Sequence, residues 1–422
     1  MILEDLYKQK RTLFDYRRGP LGQHFDGLIG HLENLGYARS SIKDVIGRLC
    51  QFNYFLMDRG QREVDNLTMS FTEPFVDVYI SAFRDHHAYA ATKAKSLRCD
   101  LKHLFNYLAK VKIIELPVPE PVAAKPCDWI LGPFLDYLRR EGSLRDNTIQ
   151  NKRRLLEPAL AAFGITDDRT SIKDLKAEVV EEYVKKHFKD SVSNFRTIAS
   201  ALRGFFQFCA REGHTSIDLS GLLPHAPGYR MATLPKGMDD SAIEAIFAGI
   251  PKDTPAGMRD RAIMLLLMAF GMRGTQVAKL SLDDINWQRS LVRIRAEKGG
   301  REVVLPMLDS VGEAILAYLQ HRPKSLNREV FLVTKAPHRP VTSVGIGAMI
   351  RGYAKAAGLD LPRCGTHTMR HSWAIRALAH GAPMKAIADV FGHKHLDTTF
   401  IYAKTDTKAL REVALPWPEV SR

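Results

Sequence analysis

The sequence predicts a mainly α-helical protein with a small antiparallel β-hairpin in its last part. Apolar residues recur at the helical period along most of the chain. Two short runs, Ser290–Arg295 and Glu302–Leu305, instead alternate apolar with polar residues, and Lys298-Gly299-Gly300 lies between them. Alternation on both sides of a glycine turn is typical of a β-hairpin. We therefore expect helical bundles and one small sheet.

Length and proline content divide the chain into three parts. At ~150 residues per domain, the 422 residues correspond to about three domains. Glu115–Cys127 contains four prolines and Leu222–Lys236 contains three, and neither stretch has an apolar period. Such stretches are typical of extended linkers. The predicted domains are residues 1–115, 127–222 and 234–422.

The first two parts resemble each other. Five apolar residues on one helical face of the first part recur at a constant offset in the second: Leu97, Leu101, Leu104, Phe105 and Leu108 correspond to Ile198, Leu202, Phe205, Phe206 and Cys209. Upstream, each part has a helix that ends at a glycine and a new helix that Ser40, or Asn147 and Thr148, would cap. The pattern predicts a diverged duplication of a bundle of four or five short helices.

The composition favours a polyanionic partner. Lysine and arginine total 61 against 47 acids, which gives a net charge of +14. This excess favours nucleic acid over a membrane surface as the partner. Apolar residues at 45% and charged residues at 26% make wholesale disorder and a fibrous repeat unexpected. There is no bilayer-length apolar run and no signal-peptide pattern, so we expect a cytoplasmic, nucleoid-associated protein.

Basic residues cluster on the faces of both bundles that lie opposite the apolar face. Near the starts of helices, free backbone N–H groups also favour phosphate. For any single lysine, a solvated charged surface remains the alternative. The predicted DNA-binding residues are Arg39, Ser40, Lys43, Lys93, Lys95, Arg98, Arg145, Asn147, Thr148, Lys152, Arg196, Arg203 and Lys236.

Five short segments of the last part contain polar residues that are candidates for a catalytic role and not only for a role in packing. They are Gly271-Met272-Arg273, Glu297-Lys298-Gly299-Gly300, Gly365-Thr366-His367-Thr368-Met369-Arg370-His371, Phe391-Gly392-His393-Lys394 and Thr399-Phe400-Ile401-Tyr402. Each alone has a structural explanation, since a lone His-x-x-Arg pair usually lies on a surface or in a packing contact. In this order and spacing, however, the chain resembles the tyrosine recombinase (phage integrase) family.

The resemblance covers residues 234–410 and, more loosely, the middle part. It implies two SAM-like helical DNA-binding domains followed by an integrase-type catalytic domain. The additional first domain is similar to that of recombinases encoded by transposons and other mobile elements. The implied catalytic residues are Arg273, Lys298, His367, Arg370, His393 and the nucleophile Tyr402. The sequence departs from the family pattern at Gln276, where the family usually has an acid. An amide can orient Arg273 or His367 through a hydrogen bond, but it supplies no negative charge.

The chemistry of phosphodiester cleavage agrees with these roles. Two permanently charged guanidinium groups, Arg273 and Arg370, can hold the non-bridging oxygens. Ionising a tyrosine of pKa ≈ 10 at pH 7 costs about 4 kcal/mol, which a cationic site must largely offset. The leaving alkoxide needs a proton, which we assign to Lys298. His367 would act as general base or proton relay for Tyr402, and His393 would donate to a phosphate oxygen.

The expected function is site-specific recombination through a covalent 3′-phosphotyrosine, for integration, excision or transposition of a mobile element. We expect double-stranded DNA as the partner, a homo-tetramer in the synaptic complex, and neither metal nor nucleotide cofactor. Related recombinases or accessory DNA-bending proteins are further candidate partners. The apolar stripe in residues 408–415 would pack on its own domain or dock into a neighbouring protomer. The alternatives are a type IB-like topoisomerase, a telomere resolvase and a non-catalytic DNA-binding protein on the same fold.

Overall fold

The structure is a computed structural model that describes residues 1–81, 87–116, 126–142, 144–165, 172–173, 175–190, 192–224, 235–297 and 300–405. The chain forms two compact units, residues 117–229 and a second unit of residues 1–116 with residues 230–422. Much of the two predicted linkers, residues 117–125 and 225–234, lies outside the described residues, as do Lys298 and the predicted stripe at residues 408–415.

Residues 1–116 form a helical bundle with its own apolar core. The helices are α1 (Leu3–Leu6), α2 (Lys10–Arg17), α3 (Phe25–Asn34), α4 (Arg39–Asp58), α5 (Thr72–Ser81) and α6 (His87–Lys110). The predicted apolar face of α6 is at most 1% exposed at Leu97, Leu101, Leu104, Phe105 and Leu108. It packs against apolar residues of α3 and α4, which confirms the helical period found in the sequence.

The middle unit is also a helical bundle with its own apolar core. Its helices are α7 (Asp128–Arg140), α8 (Asp146–Ala162), α9 (Ala177–Asp190) and α10 (Val192–Arg211), followed by a 3₁₀ turn at Leu219–Leu222. On α10, Leu202, Phe205, Phe206 and Cys209 are buried, and Ile198 packs against them while partly buried. The apolar face that repeats that of α6 is therefore a core face in this unit too.

The predicted helix caps are wrong in both bundles. The residue before α4 is Ala38 and the residue before α8 is Arg145, and neither forms a side-chain capping bond. Their carbonyls accept the first helical bonds, from the N–H groups of Ile42 and Ile149 at 2.9 and 3.2 Å. Each helix begins before the predicted cap, so Ser40, Asn147 and Thr148 lie in the first helical turn. Their backbone is helical there, whereas an N-cap residue has an extended backbone.

The carboxyl part combines helices with a three-stranded sheet. Its elements are α11 (Asp240–Ala248), α12 (Pro255–Phe270), α13 (Gly274–Ala278), β1 (Ile285–Asn286), β2 (Leu291–Ile294), β3 (Val303–Pro306), α14 (Asp309–His321), α15 (Ser343–Ala356), α16 (Thr366–Ala379) and α17 (Met384–Val390), with 3₁₀ turns at Leu396–Thr398 and Phe400–Thr405. The mainly α fold with a small antiparallel sheet is confirmed. No helix of the described residues is both long and apolar enough to cross a membrane.

The predicted hairpin is present, with β2 and β3 antiparallel and Leu291 opposite Pro306. The third strand, β1, pairs with β2 through only two residues, too few to give an alternating pattern in the sequence. Residues 240–270 do not form one continuous helix, because the chain leaves α11 at residue 249 and starts α12 at Pro255. The Thr254 hydroxyl caps that start by accepting from the N–H of Gly257 at 3.1 Å.

Helix α12 is the centre of the carboxyl part. Along it Ala262, Met264, Leu266 and Leu267 are fully buried, and it packs on α14 and α16. The helix ends at Gly271, whose backbone is left-handed with φ of +56°. A glycine favours this conformation because it has no Cβ. The buried helix therefore holds the residues directly after Gly271 in a fixed position.

We expect Gly271→Ala to lower the free energy of unfolding by about 2 kcal/mol or more, because the left-handed backbone and the lack of space act together. A Cβ at this position would lie 2.7 Å from Cε1 of Phe391 and 3.0 Å from Cγ of Trp373. The matched control is Gly352→Ala at an exposed position of α15, where no atom beyond the chain neighbours and the local helix backbone lies within 4 Å of the added carbon. The control should stabilise by ~0.5–1 kcal/mol. Denaturant unfolding measures both, and equal effects would contradict this account.

Candidate active site

Arg273 lies directly after the turn at Gly271, at the start of the short helix α13. Its backbone N–H donates to the Gln276 side-chain oxygen at 2.9 Å. Gln276 is buried, and its amide nitrogen donates to the carbonyl of Arg295 at 3.4 Å. Gln276 therefore connects the backbone of Arg273 to the chain directly after strand β2. Its side-chain oxygen accepts from Arg273 and its side-chain nitrogen donates to Arg295.

The hairpin turn that follows β2 is attached on both sides. Before the turn, the hydroxyl of Thr275 on α13 donates to the carboxylate of Glu297. After the turn, the backbone N–H of Arg301 donates to the carbonyl of Gly392 at 2.9 Å. Lys298, predicted to be catalytic, lies between these attachments but outside the described residues. The flanks of its turn thus contact both the helix of Arg273 and the segment of His393.

Arg370 lies in the first turns of α16 and is only 5% exposed. Its guanidinium donates to the carbonyl of Gly271 at 2.7 Å and to the carbonyl of Phe391 at 3.3 Å. It also stacks on the Phe391 ring, 3.5 Å from the ring centroid. Burial and the nearby positive charge of Arg273 lower the pKa of Arg370 to about 9. Among the described residues, no carboxylate pairs with this buried cation.

His393 is half-buried between Arg370 and Thr399. Its Nε2 lies 3.2 Å from a guanidinium nitrogen of Arg370, and its Nδ1 lies 2.7 Å from the Thr399 hydroxyl. Because arginine only donates, Nε2 is the acceptor in this contact and the ring proton is on Nδ1. Burial first, and then the charges of Arg370 and Arg273, lower the pKa of His393 to about 4. The ring is therefore neutral at pH 7.

Tyr402 lies in the 3₁₀ turn Phe400–Thr405 and is 2% exposed. Its backbone N–H donates to the carbonyl of Thr399 at 3.0 Å, which starts this turn. Burial raises the pKa of Tyr402 to about 12, although the charges of Arg370 and Arg273 act in the opposite direction. Both guanidinium groups are therefore close enough to act electrostatically on the hydroxyl.

The hydroxyl of Tyr402 contacts a histidine that the sequence analysis did not assign to the site. Nδ1 of His371 lies 2.8 Å from the phenolic oxygen. The predicted His367 is exposed one turn earlier on the same helix, and its charge is one of the causes that lower the pKa of His371. In the sequence, the feature that could have identified His371 is its position directly after Arg370 in the His-x-x-Arg-His run.

The structure thus brings Arg273, His367, Arg370, His393 and Tyr402 into one region of the carboxyl part. This region forms from the end of α12, the start of α16, the turn after α17 and the final 3₁₀ turn. The described residues contain no group of three or more His, Cys, Asp or Glu side chains arranged to hold a metal ion.

Several predicted DNA-binding residues of the first bundle have partners within the protein. Arg39 donates to the carbonyl of Asp5, and Arg98 forms an ion pair with Glu73 at 2.7 Å. The amines of Lys43 and Lys93 lie over tyrosine rings at 5.3 and 5.1 Å. Each of these contacts offsets part of the attraction that the cation would have for phosphate. Ser40 and Lys95, also predicted, are exposed.

In the middle unit the predicted residues Thr148, Lys152 and Arg196 line one groove between α8 and α10. The groove also contains hydroxyl and amide groups from Asn151, Thr197 and Ser200. No acidic side chain lines it, and burial lowers the pKa of Lys152. We call it the α8–α10 groove. Of the remaining predicted residues, Arg203 donates to the carbonyl of Leu223 at 3.0 Å, and Arg145, Asn147 and Lys236 are exposed.

Two family models match the chain. The model described as "Phage integrase family" matches residues 236–409. The model described as "Phage integrase, N-terminal SAM-like domain" matches residues 131–213. The first match contains all the predicted catalytic residues, and the second contains the α8–α10 groove.

Curated relatives extend the similarity across the chain. Two proteins of Sinorhizobium fredii strain NGR234, y4rF and y4rA, both carry the name "Putative integrase/recombinase". The first is 31% identical over 99% of this chain and 96% of its own length. The second is 34% identical over 75% of this chain and 78% of its own length. Tyrosine recombinase XerD of Xanthomonas campestris pv. campestris is 31% identical over 65% of this chain and 87% of that protein.

Solved structures share the fold. The XerH site-specific recombinase, in a post-cleavage complex with a palindromic difH substrate, is 18% identical with a TM-score of 0.53, over 70% of this chain and 97% of that one. A lambda integrase (75–356) dimer bound to a COC′ core site is 14% identical with a TM-score of 0.52, over 69% of this chain and 98% of that one.

Proposed function

The chain belongs to the phage integrase family of tyrosine recombinases, and on that premise we propose how its residues act on DNA. It is a site-specific recombinase that breaks and rejoins DNA strands in recombination or integration. The observation that carries the residue assignment is the buried guanidinium of Arg370, which has no carboxylate partner among the described residues and acts electrostatically on Tyr402.

We propose that this guanidinium and that of Arg273 bind the two non-bridging oxygens of one DNA phosphate. Within the described part of the chain, the buried cation contacts carbonyls, a neutral imidazole and an aromatic ring, none of which supplies a counter-charge. An anion supplies that charge, and bidentate arginine contacts suit the geometry of a phosphate. The same two charges stabilise the pentacoordinate transition state, in which negative charge grows on these oxygens.

In the proposed reaction the phenolic oxygen of Tyr402 attacks this phosphorus. The new O–P bond forms as the bond from phosphorus to the 5′ oxygen of the leaving strand breaks, giving a 3′-phosphotyrosine. We assign the proton for the leaving oxygen to Lys298, which lies in the sequence between Glu297 and Arg301, two residues that contact neighbouring segments. To donate to the bound phosphate, His393 would give up its contact with Arg370 and move its ring proton from Nδ1 to Nε2, the nitrogen that accepts in the free protein. Attack by a free 5′-hydroxyl reverses the step.

The biological context is proposed from the relatives. The solved recombinases XerH and lambda integrase are described in complexes with their DNA substrates. For this chain we propose double-stranded recombination sites as the substrate, a tetramer as the synaptic complex, and integration, excision or transposition of a mobile element as the outcome. The proposed place of action is the cytoplasmic nucleoid, where such DNA is found. Residues 1–115, 127–222 and 234–422 would be the first DNA-binding, the core-binding and the catalytic domains.

Within the core-binding domain, we propose that the α8–α10 groove binds the DNA backbone. Its two cations, Lys152 and Arg196, have no acidic neighbour among the groove residues, and hydroxyl groups beside them can donate to phosphate oxygens. A half-buried lysine is costly to leave unpaired, so binding of a phosphate also relieves its desolvation. The cations of the first bundle that already have partners within the protein, such as Arg98, would gain less from binding a phosphate.

Replacing Tyr402 with phenylalanine should abolish covalent attachment to DNA while leaving DNA affinity within about threefold, because only the nucleophilic oxygen is lost. The substrate is the site recovered by footprinting DNA bound to the protein in cells, prepared with a nick so that cleavage is trapped. Adducts are measured on denaturing gels, and the unsubstituted protein is the control. An adduct formed by the Tyr402→Phe variant would contradict the assignment of the nucleophile.

Replacing Lys152 and Arg196 together with alanine should weaken binding and flatten its salt dependence. If each cation neutralises one phosphate, the slope of log K against log salt becomes less negative by ~1.8, at ~0.9 per contact. The matched control is Arg98→Ala, which removes a cation already paired with Glu73 and should change the slope by less than half a contact. Equal effects in the two proteins, measured by fluorescence anisotropy, would contradict the assignment of the groove.

A further inference from the structure

We propose that His371 is a catalytic residue of this recombinase that accepts the phenolic proton of Tyr402 when the tyrosine attacks DNA. The proposal rests on the proposed function, because it concerns the same reaction. It differs from the expectation from the family resemblance, which gave the role of base or relay to His367. The observation that carries it is the contact of 2.8 Å between Nδ1 of His371 and the phenolic oxygen.

The chemistry of the two side chains fixes the direction of this hydrogen bond. Burial raises the pKa of Tyr402 to about 12, so the hydroxyl keeps its proton at pH 7. Burial, together with the nearby charges of His367 and Arg370, lowers the pKa of His371, so the ring is neutral. A neutral imidazole can present a lone pair on Nδ1, and the tyrosine hydroxyl then donates to it. The phenolic hydrogen therefore already points at Nδ1 of His371, the atom to which it would be transferred.

The surroundings make this transfer depend on bound DNA. The groups that act on His371 are His367 and Arg370 on its own helix and Tyr402 from the final turn. The first two oppose a positive charge on the ring, so proton transfer is unfavourable in the free protein. A phosphate held by Arg370 would bring a negative charge next to the ring and offset that repulsion. His371 would therefore accept the proton mainly when substrate is present.

The step balances without another reactant. The O–H bond of Tyr402 breaks and its proton goes to Nδ1 of His371, while the O–P bond forms. The bond from phosphorus to the leaving 5′ oxygen breaks, and that oxygen takes its proton from the group assigned above, Lys298. His367 lies one turn from His371 and is exposed, which suits it to pass the proton on to solvent. In the reverse step His371 returns the proton to the departing phenol.

The test compares His371→Asn with the unsubstituted protein on nicked site DNA under single-turnover conditions. The Asn oxygen can accept the hydrogen bond of Tyr402 but cannot take a proton. We expect cleavage to slow by about 100-fold or more at pH 7, with unchanged DNA affinity and melting temperature. The rate of the variant should rise with pH between 7 and 9, as hydroxide replaces the base, while that of the unsubstituted protein stays nearly flat.

Two further measurements separate a proton acceptor from a purely structural residue. Cleavage by His371→Ala should be partly restored by added imidazole, which can occupy the vacated space and take the proton. A second substrate is DNA with sulfur in place of the 5′ bridging oxygen, because a sulfur leaving group needs no proton donor. On this DNA the cleavage rate of Lys298→Ala should recover, and that of His371→Asn should not.

Several results would overturn the proposal. A His371→Asn rate within about threefold of the unsubstituted protein would do so, and so would recovery of that variant on the sulfur-containing DNA. If the Asn variant does not fold, failure of imidazole to restore a folded His371→Ala protein would be decisive against it. If the unsubstituted protein forms no adduct at all, the proposed function fails, and the role of His371 fails with it.

Discussion

The burial of one guanidinium group, that of Arg370, is the constraint on which the geometry of the site depends. A charge that is 5% exposed must be solvated by the protein, and here two backbone carbonyls, an imidazole and an aromatic face do so. These partners come from two distant stretches of chain, residue 271 and residues 391–393. The requirement to satisfy this cation therefore fixes Gly271, Phe391 and His393 around one point.

The surrounding fold explains why those stretches stay in place. Gly271 ends the buried helix α12, its left-handed backbone turns the carbonyl towards Arg370, and Phe391 packs against it. Glu297 contacts α13 and Arg301 contacts Gly392, so the residues on both sides of the hairpin turn are linked to the same cluster. Among the residues that the structure describes, these partners are uncharged, so the positive charge of Arg370 is the feature that the proposed DNA phosphate would neutralise.

The sequence predicted the helical bundles, the hairpin and the residues that carry the family resemblance, because these features depend on local period and on spacing along the chain. It did not predict the break between α11 and α12 or the starts of α4 and α8, where a shift of one or two residues decides the cap. It also missed His371 as the partner of Tyr402 and the two-ended contact of Gln276, since these contacts depend on how distant segments pack. Likewise, Arg98 and Lys152 look alike in the sequence, and only the structure shows that Arg98 pairs with Glu73 whereas no acidic residue lines the groove of Lys152. The roles of Lys298 and of the other site residues stay predictions.

The most direct test of the account is a crystal structure of the protein on its footprinted DNA site, with Tyr402→Phe to prevent cleavage. The account predicts one backbone phosphate whose non-bridging oxygens lie within ~2.7–3.2 Å of guanidinium nitrogens of both Arg273 and Arg370, with position 402 facing the phosphorus. A complex in which Arg370 keeps both carbonyl contacts and no phosphate comes within hydrogen-bonding distance of either arginine would contradict it.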